Sequence, residues 1–114
     1  SCCDGTLNQL KINFSNSKSV CIVLCSKGYP EKFEKNIEIK NLEQLKPLKN
    51  QNIFHAGTLR AKNKIISNGG RVLNFVSISD NFLKSRVEAI NLIKKLDWKN
   101  GYYRGDIGHK VIKI

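Results

Sequence analysis

Methionine is absent from the 114 residues, and there are only two prolines and one tryptophan. The missing methionine leads to the expectation that the chain is a piece of a longer polypeptide. Long apolar runs are missing too. No stretch approaches the roughly 18 residues needed to cross a bilayer, so a membrane protein is not expected. No basic region followed by an apolar segment opens the chain, so no secretory signal is expected and the cytoplasm is the expected location. Without that signal, the sequon Asn13-Phe14-Ser15 is read as chance.

Zinc-type cysteine pairs are lacking as well. Cys2, Cys3, Cys21 and Cys25 include no C-x-x-C spacing, which sets aside zinc-ribbon and thioredoxin-like chemistry. Cys21 and Cys25 fall in the apolar run Val20–Cys25 and are expected as reduced, buried thiols. No glycine-rich loop with a phosphate-binding lysine and no paired metal carboxylates are found. Acidic residues are few, nine against twenty Lys and Arg, giving a formal charge of +11. That balance invites a nucleic-acid reading. However, the basic residues are 16 Lys and 4 Arg, and the lysines are spread over loops and one helix face. Planar bidentate recognition leans on arginine, so no nucleic-acid partner is expected. A basic domain can still draw in phosphorylated substrates.

What is present fits one globular domain, 40% apolar and 25% charged. Ser1–Gly5 reads as the last turn of a helix closed by glycine. Leu10–Phe14 alternates apolar and polar residues as a half-buried strand does, and Ser19–Cys25 reads as a central strand buried on both sides. Further strands are expected at Ile37–Ile39, Asn52–His55, Lys64–Ser67 and Arg71–Ser79, with a helical turn at Asn41–Leu45. Asn68-Gly69-Gly70 signals a hairpin between the last two strands. A helix capped by Ser79 or Asp80 is expected to run to about Leu96 on a core stripe of Phe82, Leu83, Val87, Ile90, Ile93 and Leu96. Tyr102–Ile114 is expected as an edge strand or extended tail. One helix among strands, without βαβ alternation, gives an α+β class.

Four glycine-centred islands carry the chemistry: Lys27-Gly28-Tyr29-Pro30, Phe54-His55-Ala56-Gly57-Thr58, Ser67-Asn68-Gly69-Gly70-Arg71-Val72-Leu73, and Tyr103-Arg104-Gly105-Asp106-Ile107-Gly108-His109. A turn with two glycines can expose consecutive N–H groups to an anion, and Arg71 beside it offers a guanidinium fork. The same residues can equally form a plain hairpin with an exposed arginine. His55 and Thr58 could meet a substrate near the same mouth or simply close a strand end. Asp106 and His109 could form an acid–base pair, but the preferred reading is that Asp106 accepts hydrogen bonds that hold the tail down. A triad of Cys25, His55 and Asp106 is set aside, since no flanking sequence resembles a cysteine-nucleophile site.

Taken in order and at these spacings, the islands resemble the C-terminal domain of the phosphoribosylamine–glycine ligase family, within the ATP-grasp superfamily. The resemblance runs from Ser1 to about Lys110. It implies a small, mainly antiparallel, barrel-like sheet with one long helix. Residues 1–9 would end the preceding ATP-grasp domain and its linker, and 10–114 would form the C-terminal domain. The implied reaction joins glycine to 5-phosphoribosylamine in purine biosynthesis, with ATP and Mg2+ held upstream and this fragment inactive alone. The implied substrate-binding residues are Asn68, Gly69, Gly70 and Arg71, for the ribose phosphate, with His55 and Thr58 behind them. The domain is expected to pack on its own upstream domains in a monomer. The family usually has glycine where Asn36 stands, and arginine where Gly105 stands. Asparagine tolerates the left-handed conformation, so the first turn is expected to survive. A structural buttress that touches no ligand is the alternative, with a basic nucleic-acid module behind it.

Overall fold

The β-branched run after Asn16 forms β1 (Lys18–Ser26), and it alternates rather than being buried on both sides. Val20, Ile22, Leu24 and Ser26 are buried, whereas Cys21 is exposed and Cys25 half-buried. The expectation of buried thiols is corrected for the same reason: only one face of the sheet is covered. A computed structural model describes residues 1–112. It places β2 (Gln51–His55), β3 (Thr58–Ala61), β4 (Lys64–Ser67), β5 (Arg71–Ser79), α1 (Phe82–Lys94) and β6 (Gly101–Tyr102) after β1.

All strand pairs are antiparallel, in a four-stranded sheet ordered β2-β5-β1-β6 and a two-stranded sheet β3-β4. The mainly antiparallel α+β architecture is as expected, and among the described residues the strands form two separate sheets, without the ladder that would close a barrel. The hairpin expected at Asn68-Gly69-Gly70 is also corrected. Its flanking strands β4 and β5 belong to different sheets, so the two glycines carry a crossing between them. The actual hairpin joins β3 to β4 through Lys62 and Asn63, with Lys62 in the left-handed region at φ 55.

Helix α1 covers the inner sheet face. Asn81 caps it, its side-chain oxygen accepting from Lys84 N at 2.8 Å, in place of Ser79 or Asp80. The fully buried stripe is Ser85, Ala89, Leu92 and Ile93; of the expected stripe, Ile93 is buried, Phe82, Ile90 and Leu96 pack partly buried against the core, and Leu83 and Val87 are exposed. Ser85 goes inward because its hydroxyl donates to the Lys18 carbonyl at 2.8 Å, which satisfies a buried polar group. Val20, Ile22, Leu24, Leu73, Phe75, Ala89, Leu92 and Ile93 belong to the resulting core, with Ile39, Leu42, Ile65 and Trp98 at its flank.

Elsewhere, Leu42–Gln44 forms the expected helical turn, as a 3-10 helix. Ile37–Ile39 contributes only a bridge from Glu38 to Ile66. Asn36 adopts φ 62, the left-handed conformation expected of it. Leu10–Phe14 forms no strand, because it has no ladder partner among the described residues. The C-terminal expectation is reduced to β6, with turns over residues 105–111. Lys113 and Ile114 lie outside the described residues.

Candidate functional site

The crossing from β4 to β5 is held from below by buried serines. Ser26 donates through its hydroxyl to the Gly69 carbonyl at 2.8 Å and through its amide to the Gly70 carbonyl at 2.7 Å. Across a trans peptide the next N–H points opposite to the carbonyl. The Gly70 and Arg71 amides therefore face away from Ser26. Among the described residues, neither the Gly69 nor the Gly70 amide donates a hydrogen bond. Ser67, fully buried, ties the start of the crossing to the Asn36–Ile37 backbone.

The second island locks onto this crossing. Ala56 N donates to the Val72 carbonyl, Gly57 N to the Arg71 carbonyl, and Asn68 N to the Gly57 carbonyl, at 2.9, 3.0 and 2.7 Å. The backbones approach too closely here for a side chain at Gly57. A Cβ there would lie 2.6 Å from the Arg71 carbonyl oxygen and 3.1 Å from Gly69 Cα. At Gly70 a Cβ would lie 1.9 Å from the Tyr29 ring, which rests on that glycine.

A β-bulge aims Arg71. Leu24 pairs with Leu73 and Cys25 with Arg71, so Val72 is an extra residue. Val72 and Leu73 are both buried opposite Leu24. Arg71 consequently shares the outer, helix-free face with Cys25, Val23 and Asn74. Desolvation pushes the Cys25 thiol up, and the Arg71 charge pulls it partly back, as this shared face requires. Arg71 is exposed, and among the described residues its guanidinium has no carboxylate partner, whereas Arg60 and Arg104 are paired with Glu43 and Asp106.

Tyr29, Ala56, Gly70, Arg71 and Asn74 line an open cleft of about 430 Å3 on this face. Of the six sequence-predicted residues, Gly70 and Arg71 line it. Asn68 and Gly69 belong to its supporting turn. His55 and Thr58 sit across the crossing and bond to each other, Nδ1 to Oγ1 at 2.8 Å. Tyr29, Ala56 and Asn74 were missed as site residues. Tyr29 stood out in sequence only as part of a Gly-Tyr-Pro turn, and its partner Gly70 is remote in sequence. A second open cleft, of about 320 Å3, gathers Lys27, Lys40 and Lys99, but Glu38 and Asp97 line it too. Its charge is mixed.

The last island behaves as its structural reading expected. Arg104 forks onto Asp106, Nε to Oδ1 at 3.0 Å and Nη2 to Oδ2 at 2.7 Å. His109 Nδ1 lies 3.2 Å from the Asp106 backbone carbonyl rather than meeting its carboxylate, so no acid–base pair forms. The Arg104 hydrogen bond holds the Asp106 carboxyl below the usual carboxylate range. A carboxylate pKa lowered by folding adds stability above the unfolded value, and that stability is lost as pH falls through the folded value. The pair is exposed, so its share of the total is small. Carboxyl NMR titration of Asp106 is expected to give a midpoint below that of a free aspartate, moving up in Arg104→Gln. An equal midpoint in both proteins would refute the fork in solution.

Among the described residues no group of three His, Cys, Asp or Glu side chains could hold a metal ion, and no helix is long and apolar enough to cross a membrane. Comparison with known proteins agrees with the islands. The family described as "Phosphoribosylglycinamide synthetase, C domain" matches residues 19–110. Phosphoribosylamine–glycine ligase of Fusobacterium nucleatum is 40% identical over 109 residues, covering 95% of this chain and 26% of that protein. The enzyme of that name from Caldanaerobacter subterraneus is 38% identical over 104 residues, covering 91% and 24%. The crystal structure of phosphoribosylamine–glycine ligase from Thermotoga maritima matches with a TM-score of 0.66 at 32% identity, over 79% of this chain and 22% of that one. The chain thus spans about a quarter of the length of the curated relatives it matches. With the family matched over most of its length and the fold shared, this chain belongs to the phosphoribosylglycinamide synthetase C-domain family.

Proposed function

We propose that this domain is the C-terminal part of an ATP-dependent ligase that joins glycine to 5-phosphoribosylamine, giving glycinamide ribonucleotide, and that it grips the substrate phosphate. The observation that carries this reading is the crossing at residues 68–71. Its Gly69 and Gly70 carbonyls are tied to Ser26, and among the described residues its Gly70 amide is unused and the Arg71 guanidinium has no carboxylate partner. A phosphate would accept from that amide and from the Arg71 fork, both charge-assisted bonds. The ribose would then lie along the cleft between Tyr29 and Asn74.

His55 stays behind this grip: it pairs opposite core-facing Leu73, on the other sheet face from Arg71, and its Nδ1 is engaged with Thr58 Oγ1 at 2.8 Å. The domain's share is positioning: it holds the ribosylamine so that its nitrogen need not search for its target. The cleft is open, and the upstream domains would supply its other wall. No cluster of three His, Cys, Asp or Glu side chains among the described residues would hold Mg2+, so no step of this domain runs through the metal or its nucleotide. Their ligands belong to the rest of the ligase, which works in the cytoplasm as a monomer in this reading.

Ribose 5-phosphate tests the grip without requiring turnover. Added to the full-length ligase, it is expected to shift the amide resonances of Asn68–Arg71 and to leave those of α1 unmoved. Shifts spread evenly over the domain, or none at saturating ligand, would favour the buttress.

A further inference from the structure

We propose that Leu7–Phe14 is a docking arm, and that its occupant is the rest of the ligase polypeptide, which takes Leu10, Ile12 and Phe14 as one apolar strand face. This rests on the reading of the domain as part of a longer ligase. The three side chains alternate with Lys11 and Asn13, the period of a strand with one buried face. Yet they are 54%, 61% and 90% exposed, and Leu7 before them is exposed too. From Lys11 to Asn16 the backbone makes no hydrogen bond among the described residues. A segment patterned as a strand, with neither ladder nor cover among the described residues, is an unfinished one.

The domain does not need the arm. Its core starts at Val20, and the family match starts at residue 19. After the 3-10 turn Leu7–Gln9, the arm alternates apolar and polar residues and carries a single charge, Lys11, so left in water it would invite aggregation. The chain leads into it through a turn with the hydrogen bond of a closed helix end, Thr6 N to the Ser1 carbonyl at 3.0 Å, with Gly5 at φ 70. Ligases of the matched kind are about four times as long as this chain, which leaves ample polypeptide to receive a strand. Strand addition to a free sheet edge would satisfy the arm's backbone and its apolar face together.

Hydrogen exchange on the full-length ligase decides the matter. Amides of residues 10–14 are expected to exchange at least roughly 100-fold more slowly than in an unstructured peptide, at every protein concentration. Peptide-like rates would overturn the proposal. So would protection that disappears on dilution as the mass halves, which would make a second copy the occupant. Phe14→Asp is expected to restore fast exchange and to open a tryptic cut after Lys11, whereas Phe14→Leu keeps both protections. Should Phe14→Asp fail to fold, the wild-type exchange rates still decide. An active ligase with an unprotected arm would remove the arm alone, and an inactive one with a protected arm would remove the ligase reading alone.

Discussion

Replacing Arg71 with alanine in the full-length ligase is expected to raise the KM for phosphoribosylamine roughly ten- to a hundred-fold, with those for ATP and glycine nearly unchanged. A hydrogen bond to a charged group contributes about 1.5–3 kcal/mol, which sets that range. If the contact tightens only as the reaction proceeds, kcat falls as well. Arg71→Lys should recover part of the loss, because an ammonium can neutralise a phosphate but cannot reproduce the planar fork. Lys84→Ala, on the exposed side of α1, removes the same charge far from the crossing and serves as the control. Equal, small effects of Arg71→Ala and Lys84→Ala on phosphoribosylamine kinetics would leave the domain as a buttress.

Gly57→Ala is expected to damage the same site from behind. The added methyl would meet the Arg71 carbonyl at 2.6 Å, and a carbonyl within a strand cannot swing aside as a side-chain tip can. Relief requires lengthening the Gly57–Arg71 and Asn68–Gly57 bonds, and so spreading the crossing. Overpacking of this kind typically costs about 1–3 kcal/mol. For a domain of this size that is a fall in Tm of about 4–12 °C, read by thermal unfolding. The KM for phosphoribosylamine should rise with it, because the Gly70 amide and Arg71 would no longer be held together. The atoms nearest to a methyl at Gly70 are those of the Tyr29 ring, which lies partly exposed and can tilt outward, so the Tm of Gly70→Ala should fall less. A Gly57→Ala protein with wild-type Tm and kinetics would show that the crossing is not tight in solution.

Local chemistry accounts for what was legible beforehand. The β-branched run of β1, the edges of β2 and β4, the span of β5 and the left-handed Asn36 all follow from neighbours within a few residues. The centre of the α1 face did not, because Ser85 turns inward for a carbonyl on β1, 67 residues away, while Phe82, Ile90, Ile93 and Leu96 pack as their spacing predicts. Gly69-Gly70 reads as a hairpin for the same reason. The glycines announce a turn, but what binds their carbonyls is Ser26, 43 residues back in the Gly69 case. Strand β3 was invisible because Lys62-Asn63 lacks a glycine, and Leu10–Phe14 carries a strand's period without a ladder among the described residues, because periodicity reports a pattern and not a partner. Within the site, Arg71 was legible from its glycines. Tyr29 and Asn74 were not, since the cleft exists only once β5 and the loop after β1 are side by side.

The extra residue in β5 makes that strand change phase partway along. Beyond Val72 toward the helix, odd positions such as Leu73 and Phe75 face the core, while Arg71, also odd, faces out. Removing Val72 would restore strict alternation with Arg71 still outward beside an inward Leu73, and would empty the core of the Val72 side chain. The bulge therefore lets two successive side chains, Val72 and Leu73, enter the core without drawing Arg71 in after them, whereas straightening the strand with Val72 in place would exchange the faces of Val72 and Arg71.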